Sequence, residues 1–190
     1  PPGRILDVGC AAGLFLACAR DNGWEPWGFD ISLWACQFAQ DRLGLAHILC
    51  GPSLADVELP KDYFDVITMW HVLEHIPKPI SELQVMRHLL KSDGRLITQV
   101  PNFGSLQARL HKEKWRGLDL PYHLFHFTPH TLEQVVCKAG FCTVGSEFEM
   151  LYRPSLIFKA MGIPPHSWLY QRFARVFSGR DMTLVFRKCV

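Results

Sequence analysis

The stretch RILDVGCAAG, residues 4–13, decides the fold that the sequence predicts. Its first half, residues 4–8, predicts a buried strand, and residues 12–22 predict a helix that ends at Gly23. The residues between them are small, which lets a ligand approach the backbone closely at a helix N-terminus. The stretch therefore predicts a nucleotide-binding turn between the first strand and the first helix.

The same alternation of short apolar strands and helical patterns continues along the chain. We predict strands over residues 25–30, 45–50, 63–69, 95–100, 141–150 and 182–188, helices over 33–43, 80–90 and 129–138, and a turn at Ser92-Asp93-Gly94. Strands that alternate with helices in this way favour an α/β fold whose parallel sheet is covered on both faces.

Length and composition limit the classes of protein to consider. The chain has 190 residues, of which 48% are hydrophobic and 20% charged, which is typical of one folded domain and excludes a disordered chain. A formal net charge of +2 and the lack of a basic stripe favour no nucleic-acid partner. No apolar run is long enough to span a bilayer. Because the chain begins with Pro rather than Met, we expect a missing N-terminal segment.

Cysteine usage suggests a reducing compartment. The seven cysteines are an odd set without a C-x-x-C pair, and several, such as Cys50 and Cys137, end apolar runs. We therefore expect reduced, buried cysteines and a cytoplasmic location.

Two features narrow the kind of nucleotide. The glycines of the turn stand only at positions 9 and 13, so it does not match G-x-G-x-x-G, and no Gly-Lys-Ser/Thr follows to form a phosphate-binding loop. Asp30 ends the second predicted strand, where a carboxylate can accept hydrogen bonds from both hydroxyls of a ribose. These features favour a nucleoside ligand.

These residues, with others in the same order, resemble the class I S-adenosylmethionine-dependent methyltransferases, in particular the ubiquinone-methyltransferase-like branch. The matching motifs are ILDVGCxxG at 5–13, GFDIS at 28–32, YFDVI at 63–67, HVLEH at 71–75, KSDGRL at 91–96, PN at 101–102, HLFHFTP at 123–129 and AGF at 139–141. The resemblance implies a Rossmann-like, doubly wound, seven-stranded sheet, mostly parallel with a C-terminal antiparallel strand. It also implies methyl transfer from S-adenosylmethionine to an O or N nucleophile, less readily C, of a small molecule.

The resemblance assigns roles to residues of this chain. Residues implied to bind the cofactor are Asp7, Gly9, Cys10 and Gly13 around the methionine moiety, Asp30 on the ribose, Ile31, Pro52, Ser53 and Leu54 at the adenine, and Trp70 and His71 near the methionine end. The chain departs from the family at Ala11, where Gly is usual, and at Pro52, where an acidic residue is usual. Ala11 leaves open a non-catalytic homologue that binds the nucleotide as an interaction module.

Histidines are the candidate catalytic groups. His123 and His126 lie beyond the fifth predicted strand, and His75 beyond the fourth, so their imidazoles can take a proton from an acceptor. His71-x-x-Glu74-His75 also matches the HxxEH motif of inverted zinc peptidases, with Glu147 or Glu149 as a third ligand. Some related methyltransferases hold a divalent cation on Glu-x-x-Glu-His and a later His. Since His71 replaces the first Glu, we predict no metal.

Two segments are longer and more irregular than ordinary connections. Residues 103–127 and 151–179 are rich in aromatic side chains, and we expect both on the acceptor side of a single domain covering 1–190. Residues 151–179 also combine apolar and basic residues, which permits peripheral contact with a membrane. The oligomeric state does not follow from the sequence.

Overall fold

A computed structural model describes residues 2–144 and 181–189. The described strands are β1 (Arg4–Val8), β2 (Glu25–Asp30), β3 (His47–Cys50), β4 (Phe64–Trp70), β5 (Leu90–Pro101), β6 (Phe141–Thr143) and β7 (Asp181–Lys188). The described α-helices are α1 (Leu14–Asp21), α2 (Leu33–Leu43), α3 (Pro79–Leu89), α4 (Leu106–His111) and α5 (Pro129–Lys138). None of these helices is both long enough and apolar enough to cross a bilayer.

The seven strands form one sheet in the order β3-β2-β1-β4-β5-β7-β6. The first five along the chain pair in parallel, and β7 is antiparallel to both β5 and β6. This arrangement confirms the predicted α/β sheet with an antiparallel C-terminal strand.

Helices cover both faces of the sheet because successive strand residues point to opposite sides. On β1, Leu6 and Val8 belong to a core cluster that includes residues of α3 and α5, whereas Ile5 belongs to a second cluster with residues of α1 and α2. With apolar side chains on both faces, most residues of β1 and β4 are buried, as their apolar sequences predict.

The bounds of α2 and α5 agree with the predicted helices 33–43 and 129–138. The Ser32 side chain accepts a hydrogen bond from Ala35 N–H at the start of α2, and Gly44 ends that helix in a left-handed conformation. Thr128 forms a capping box with Thr131 before α5. Both helices therefore begin and end where residue chemistry satisfies the free backbone groups.

The predicted turn at Ser92-Asp93-Gly94 is wrong. These residues lie within the continuous strand β5, where the pairing with β4 jumps from Phe64–Leu90 to Val66–Arg95. Residues 91–94 therefore bulge opposite Asp65, and Lys91 Nζ is 2.6 Å from Asp65 Oδ1. Ser92, Asp93 and Gly94 therefore form part of a bulge within β5 and do not reverse the direction of the chain.

The cysteine expectation is wrong in two respects. Cys142 and Cys189 form a disulfide that joins β6 to the residue after β7, with Cα atoms 5.1 Å apart. Cys50 and Cys137 are exposed rather than buried, because Cys50 ends an edge strand and Cys137 faces away from the buried side of α5. The cytoplasmic location loses this support and stays a prediction.

The long segments have a mixed outcome. Residues 103–127, expected to be irregular, contain α4 and two short 3₁₀ turns, Lys112–Lys114 and Arg116–Leu118. The sixth strand is described only over Phe141–Thr143, and the segment 151–179 lies outside the described residues. Its assignment to the acceptor side and to membrane contact stays a prediction, as does the single-domain assignment.

Gly13 is the glycine on which the first turn depends, and it generates a stability prediction. Gly13 has φ +76°, and a Cβ there would lie 2.7 Å from Leu45 Cδ1 and 2.9 Å from Ala39 Cβ. Gly44 has φ +64°, but a Cβ there would meet no atom within 4 Å. The two glycines therefore share a backbone conformation and differ in crowding.

We expect Gly13→Ala to lower the free energy of unfolding by about 2–4 kcal/mol, because backbone strain and overpacking add. The matched Gly44→Ala change introduces backbone strain without overpacking, and it should lower the free energy of unfolding by about 1 kcal/mol. Urea denaturation of both variants measures the difference. Equal losses would contradict the role of crowding at Gly13.

Candidate functional site

A crevice opens at the carboxyl ends of β1, β2 and β4. The chain passes from β1 outward to β3 and then returns to β4 on the other side of β1, and such a reversal leaves room outside the strand ends. The cavity there measures about 790 Å³, a size suited to a small-molecule ligand. We call it the crevice; Gly9, Asp30, Ile31, Ser53 and His71 are among its lining residues.

The glycine-containing turn is held against β2 by its own backbone. The N–H groups of Gly9 and Cys10 both donate to the carbonyl oxygen of Phe29, at 2.7 and 3.0 Å. Gly9 has φ +77°, and a Cβ there would overlap the Val72 side chain. The absence of a side chain at Gly9 thus lets the loops after β1 and β4 meet at the bottom of the crevice.

Asp30 joins the turn to the start of α2. Its Oδ2 accepts a hydrogen bond from Ala11 N–H and its Oδ1 accepts one from Ser32 N–H, both at 2.8 Å. The carboxylate is half-buried and lines the crevice. Asp30 therefore has a structural role in this chain in addition to any contact with a ligand.

The wall after β3 is anchored by a residue that the sequence reasoning missed. Glu82 on α3 accepts hydrogen bonds from Leu54 N–H at 2.7 Å and from the Ser53 hydroxyl at 3.1 Å. Glu82 itself lines the crevice. A lone glutamate in the first turn of a helix gives no sequence signal for this contact, because its partners lie nearly thirty positions earlier.

His71 lies between two carboxylates at the end of β4. Its Nδ1 is 3.4 Å from Glu74 Oε1, and its Nε2 is 3.5 Å from Asp181 Oδ2. Burial alone would lower the pKa of His71, but Asp181 and Glu74 raise it to about 9. The imidazole of His71 therefore carries a positive charge at neutral pH. Asp181, which helps to raise this pKa, is the first residue of the antiparallel strand β7.

The three predicted catalytic histidines are brought together, but only His75 lines the crevice. The ring centroids of His75 and His123 are 4.7 Å apart, and those of His123 and His126 are 6.3 Å apart. His75 Nδ1 lies 2.9 Å from the Tyr122 carbonyl, and His123 Nδ1 lies 2.9 Å from the Gly117 carbonyl.

The tautomers of these histidines follow from their partners. Since a carbonyl only accepts hydrogen bonds, the Nδ1 atoms of His75 and His123 carry the proton, and their Nε2 atoms hold the free lone pair in the neutral ring. His126 has the opposite arrangement, with Nε2 donating to the Leu118 carbonyl at 2.9 Å. Only His75 thus presents a proton-accepting nitrogen on a residue that lines the crevice.

Glu74, His75 and His123 each offer a ligand atom, and these atoms lie within 4.8 Å of one another. One carboxylate with two imidazoles suits a transition-metal ion such as Zn²⁺ better than Mg²⁺, which prefers oxygen ligands. The expectation of no metal stays a prediction.

The predicted cofactor-binding residues divide into two groups. Gly9, Asp30, Ile31, Pro52, Ser53, Trp70 and His71 line the crevice. Asp7, Cys10, Gly13 and Leu54 do not, and all four are buried. Leu54 packs in the hydrophobic core, and Ala55 takes its place in the wall.

The structure does not support the zinc-peptidase hypothesis, because the HxxEH residues do not lie on an α-helix. His71 follows a strand in a left-handed conformation, with φ 56°, and Leu73–His75 form a single 3₁₀ turn. A peptidase motif requires both histidines on one face of an α-helix. The suggested third ligands, Glu147 and Glu149, lie outside the described residues.

Comparisons with known proteins agree on a family. A family model described as a methyltransferase domain matches residues 1–145. The chain is 34% identical over 105 residues to a ubiquinone biosynthesis O-methyltransferase of Alkalilimnicola ehrlichii, covering 52% of this chain and 42% of the relative. It is 26% identical over 194 residues to one from Cereibacter sphaeroides, covering 97% and 74%. The chain thus matches less than half the length of several such relatives.

Solved structures with the same fold differ in activity. Magnesium protoporphyrin IX methyltransferase of Synechocystis, solved with bound SAH, aligns with TM-score 0.64 at 17% identity, covering 99% of this chain and 75% of its own. The [4+2]-cyclase SpnF aligns with TM-score 0.63 at 19% identity, covering 100% and 76%. At these identities the likeness concerns the fold alone.

Asp7 lies beneath the turn and generates a pH-dependent prediction. Its side chain is buried, and Thr68 Oγ1 donates to its Oδ1 at 2.6 Å. Burial raises the pKa of Asp7 to about 7, although the Thr68 hydrogen bond opposes the change. A raised folded-state pKa stabilises the fold fully below the unfolded value of 3.8, and this stability is lost as pH rises through 7.

We expect Asp7→Asn to increase the free energy of unfolding relative to wild type by about 2 kcal/mol more at about pH 8.5 than at about pH 5.5. Denaturant unfolding at both pH values measures this, with the exposed Asp93→Asn as the control. A difference that does not grow with pH would contradict a protonated Asp7.

Proposed function

The chain belongs to the class I S-adenosylmethionine-dependent methyltransferases, and we propose that it transfers a methyl group to an oxygen or nitrogen nucleophile of a small molecule. S-adenosylmethionine is the cofactor of this family. The observation that carries the proposal is the crevice at the strand reversal, which is lined by the glycine-containing turn, the Asp30 carboxylate and His75.

The residues present fit a nucleoside with an attached amino acid. Gly9 leaves the backbone bare at the bottom of the crevice, where a side chain would overlap Val72. Asp30 uses one lone pair of each oxygen for the backbone, so each oxygen retains another for a ribose hydroxyl. Ile31, of which 75% is exposed, and Ser53 offer an apolar surface and a hydroxyl for the base.

When bound, S-adenosylmethionine supplies a methyl group on a sulfonium sulfur, so the methyl carbon needs no further activation. The protein must align the acceptor with that carbon, and such positioning can contribute about 7–11 kcal/mol to the barrier reduction. We propose that His75 Nε2 accepts the acceptor's proton. The His123 ring packs against the His75 ring, and the Tyr122 carbonyl fixes the tautomer of His75.

An oxygen acceptor is the form of this proposal that the relatives favour. Their names specify O-methylation in ubiquinone biosynthesis. The family model, over residues 1–145, covers the motifs after β1, β2 and β4. Near His75, Tyr122 and Leu124 are at least half exposed, which provides an apolar surface for an acceptor with an aromatic or aliphatic part.

The alternative of a non-catalytic nucleotide-binding module stays a prediction, and turnover decides between the two. Ala11, the departure that suggested it, has φ 47° and is exposed, so its methyl group does not fill the turn.

Asp30→Asn tests cofactor binding. The change removes the charge but keeps an oxygen that can accept one backbone hydrogen bond, so the fold should survive. We expect affinity for S-adenosylhomocysteine to fall by about 10–100-fold, because hydrogen bonds to a charged group contribute about 1.5–3 kcal/mol each. Isothermal titration measures the affinity, and the exposed Asp41→Asn on α2 is the control. Unchanged affinity in a folded variant would overturn the ribose assignment.

His75→Gln tests the proton acceptor. We expect kcat for a hydroxyl acceptor to fall by about 10²–10⁴-fold, because Gln cannot accept a proton, while affinity for S-adenosylhomocysteine stays unchanged. His123→Gln should have a smaller effect, since His123 acts through His75. Methyl transfer to a panel of phenols and catechols, with and without EDTA, provides the measurement. A larger loss in His123→Gln, or full loss with EDTA, would contradict this division of roles.

A further inference from the structure

Two free cysteines lie directly beside Asp30, outside the machinery described above. Cys50 ends β3 and is paired in register with Asp30. Cys36 extends from α2 toward the same strand ends, where its Sγ lies 3.5 Å from the Leu49 carbonyl oxygen and 3.7 Å from that of Asp30. Cys50 Sγ lies 3.8 Å from the Ile31 carbonyl oxygen.

The two thiols approach backbone carbonyls at the same ends of β2 and β3, and they differ in access. Cys50 is exposed, whereas only 2% of Cys36 is exposed. An accessible thiol beside a second, protected thiol is the arrangement in which a reaction at the first can be resolved by the second.

We propose that Cys36 and Cys50 form a redox-modification site: a low-molecular-weight disulfide such as oxidised glutathione converts them to an intramolecular disulfide, and this weakens nucleotide binding in the crevice. The effect on binding rests on the function proposed above. The site is separate from the Cys142–Cys189 disulfide, which lies at the opposite edge of the sheet.

The chemistry balances in two exchange steps. The Cys50 thiolate attacks one sulfur of oxidised glutathione, which breaks its S–S bond and releases one glutathione thiolate. The Cys36 thiolate then attacks the Cys50 sulfur and releases the second. Two protein thiols are oxidised, one glutathione disulfide is reduced to two thiols, and the two protons pass to the glutathione thiolates.

The order of these steps follows from the surroundings of each thiol. Burial, followed by the neighbouring Cys50, raises the pKa of Cys36 to about 12, so Cys36 does not begin the reaction. Cys36 is also protected from solvent, so it reacts after the exposed Cys50, once the sulfur of the mixed disulfide lies beside it.

The disulfide would constrain one wall of the crevice. An S–S bond is about 2.05 Å long and requires Cα atoms about 4.4–6.8 Å apart, so the disulfide would hold Cys50 and α2 at a fixed separation. Cys50 is followed by Gly51, whose N–H donates to the Asp30 carbonyl at 3.2 Å, and then by the lining residues Pro52 and Ser53. Ile31, whose carbonyl Cys50 contacts, also lines the crevice.

The experiment incubates the purified chain with oxidised glutathione and maps its disulfides by mass spectrometry without reduction. Trypsin separates Cys36 in the peptide 21–42 from Cys50 in 43–61 and from Cys10 and Cys18 in 5–20. We expect a cross-link between 21–42 and 43–61 with the loss of two hydrogens. Titration should show affinity for S-adenosylhomocysteine at least about fivefold weaker than in the untreated protein.

Two variants provide the controls. Cys50→Ser should bind S-adenosylhomocysteine like wild type before treatment and should not respond to the oxidant. Cys137→Ser, which removes another exposed thiol, should form the cross-link and lose affinity as wild type does. Because Cys142 and Cys189 are already paired, the untreated sample is prepared without reductant.

Each result decides the proposal. A stable glutathione adduct on Cys50, a cross-link of Cys36 to peptide 5–20, or a Cys36–Cys50 disulfide with unchanged affinity would overturn it. Untreated wild-type protein that binds no S-adenosylhomocysteine would instead contradict the proposed function, while the peptide map would still show whether this disulfide forms.

Discussion

The crevice depends on one carboxylate that binds two backbone segments. Asp30 accepts hydrogen bonds from Ala11 in the turn after β1 and from Ser32 at the start of α2. Charge-assisted bonds of this kind are stronger than neutral ones, and here they connect loops that belong to two different strand–helix units. Together with the hydrogen bonds from Gly9 and Cys10 to the Phe29 carbonyl, Asp30 sets the position of the turn relative to β2 at this end of the crevice.

The structural role of Asp30 limits what a carboxylate at this position implies about a ligand. A carboxylate at the end of the second strand suggests a ribose, since it has no evident task without a ligand. The structure provides such a task, because a chain without any ligand would still need Asp30 to hold Ala11 and Ser32. The residue supports nucleoside binding only together with Gly9, the bare backbone and the cavity beside them.

Local sequence signals predicted the helices and strands well, but they could not predict contacts between residues far apart in the chain. The bounds of β1 and β2, and the start of the helices that Ser32 and Thr128 cap, depend on neighbours in sequence, so the sequence alone was sufficient to predict them. The anchoring of Ser53 by Glu82 joins residues far apart in the chain. The same holds for the contact of Asp181 with His71 and for the Tyr122 carbonyl, which fixes the tautomer of His75. Motif order placed these residues near the crevice but could not tell which of them line it.

The unfavourable features of the chain are concentrated at this crevice. Ala11 and His71 both line it and both have left-handed backbone conformations, which cost about 1–2 kcal/mol each in residues other than glycine. Beneath them Asp7 is a buried carboxyl group whose charge is disfavoured. The other described non-glycine residues with positive φ, Asp62, Lys112 and Asp119, are exposed and lie elsewhere. Backbone strain that the surrounding sheet maintains at one edge is typical of a binding site. Contacts with a bound ligand can offset there a free-energy cost that the protein alone does not recover.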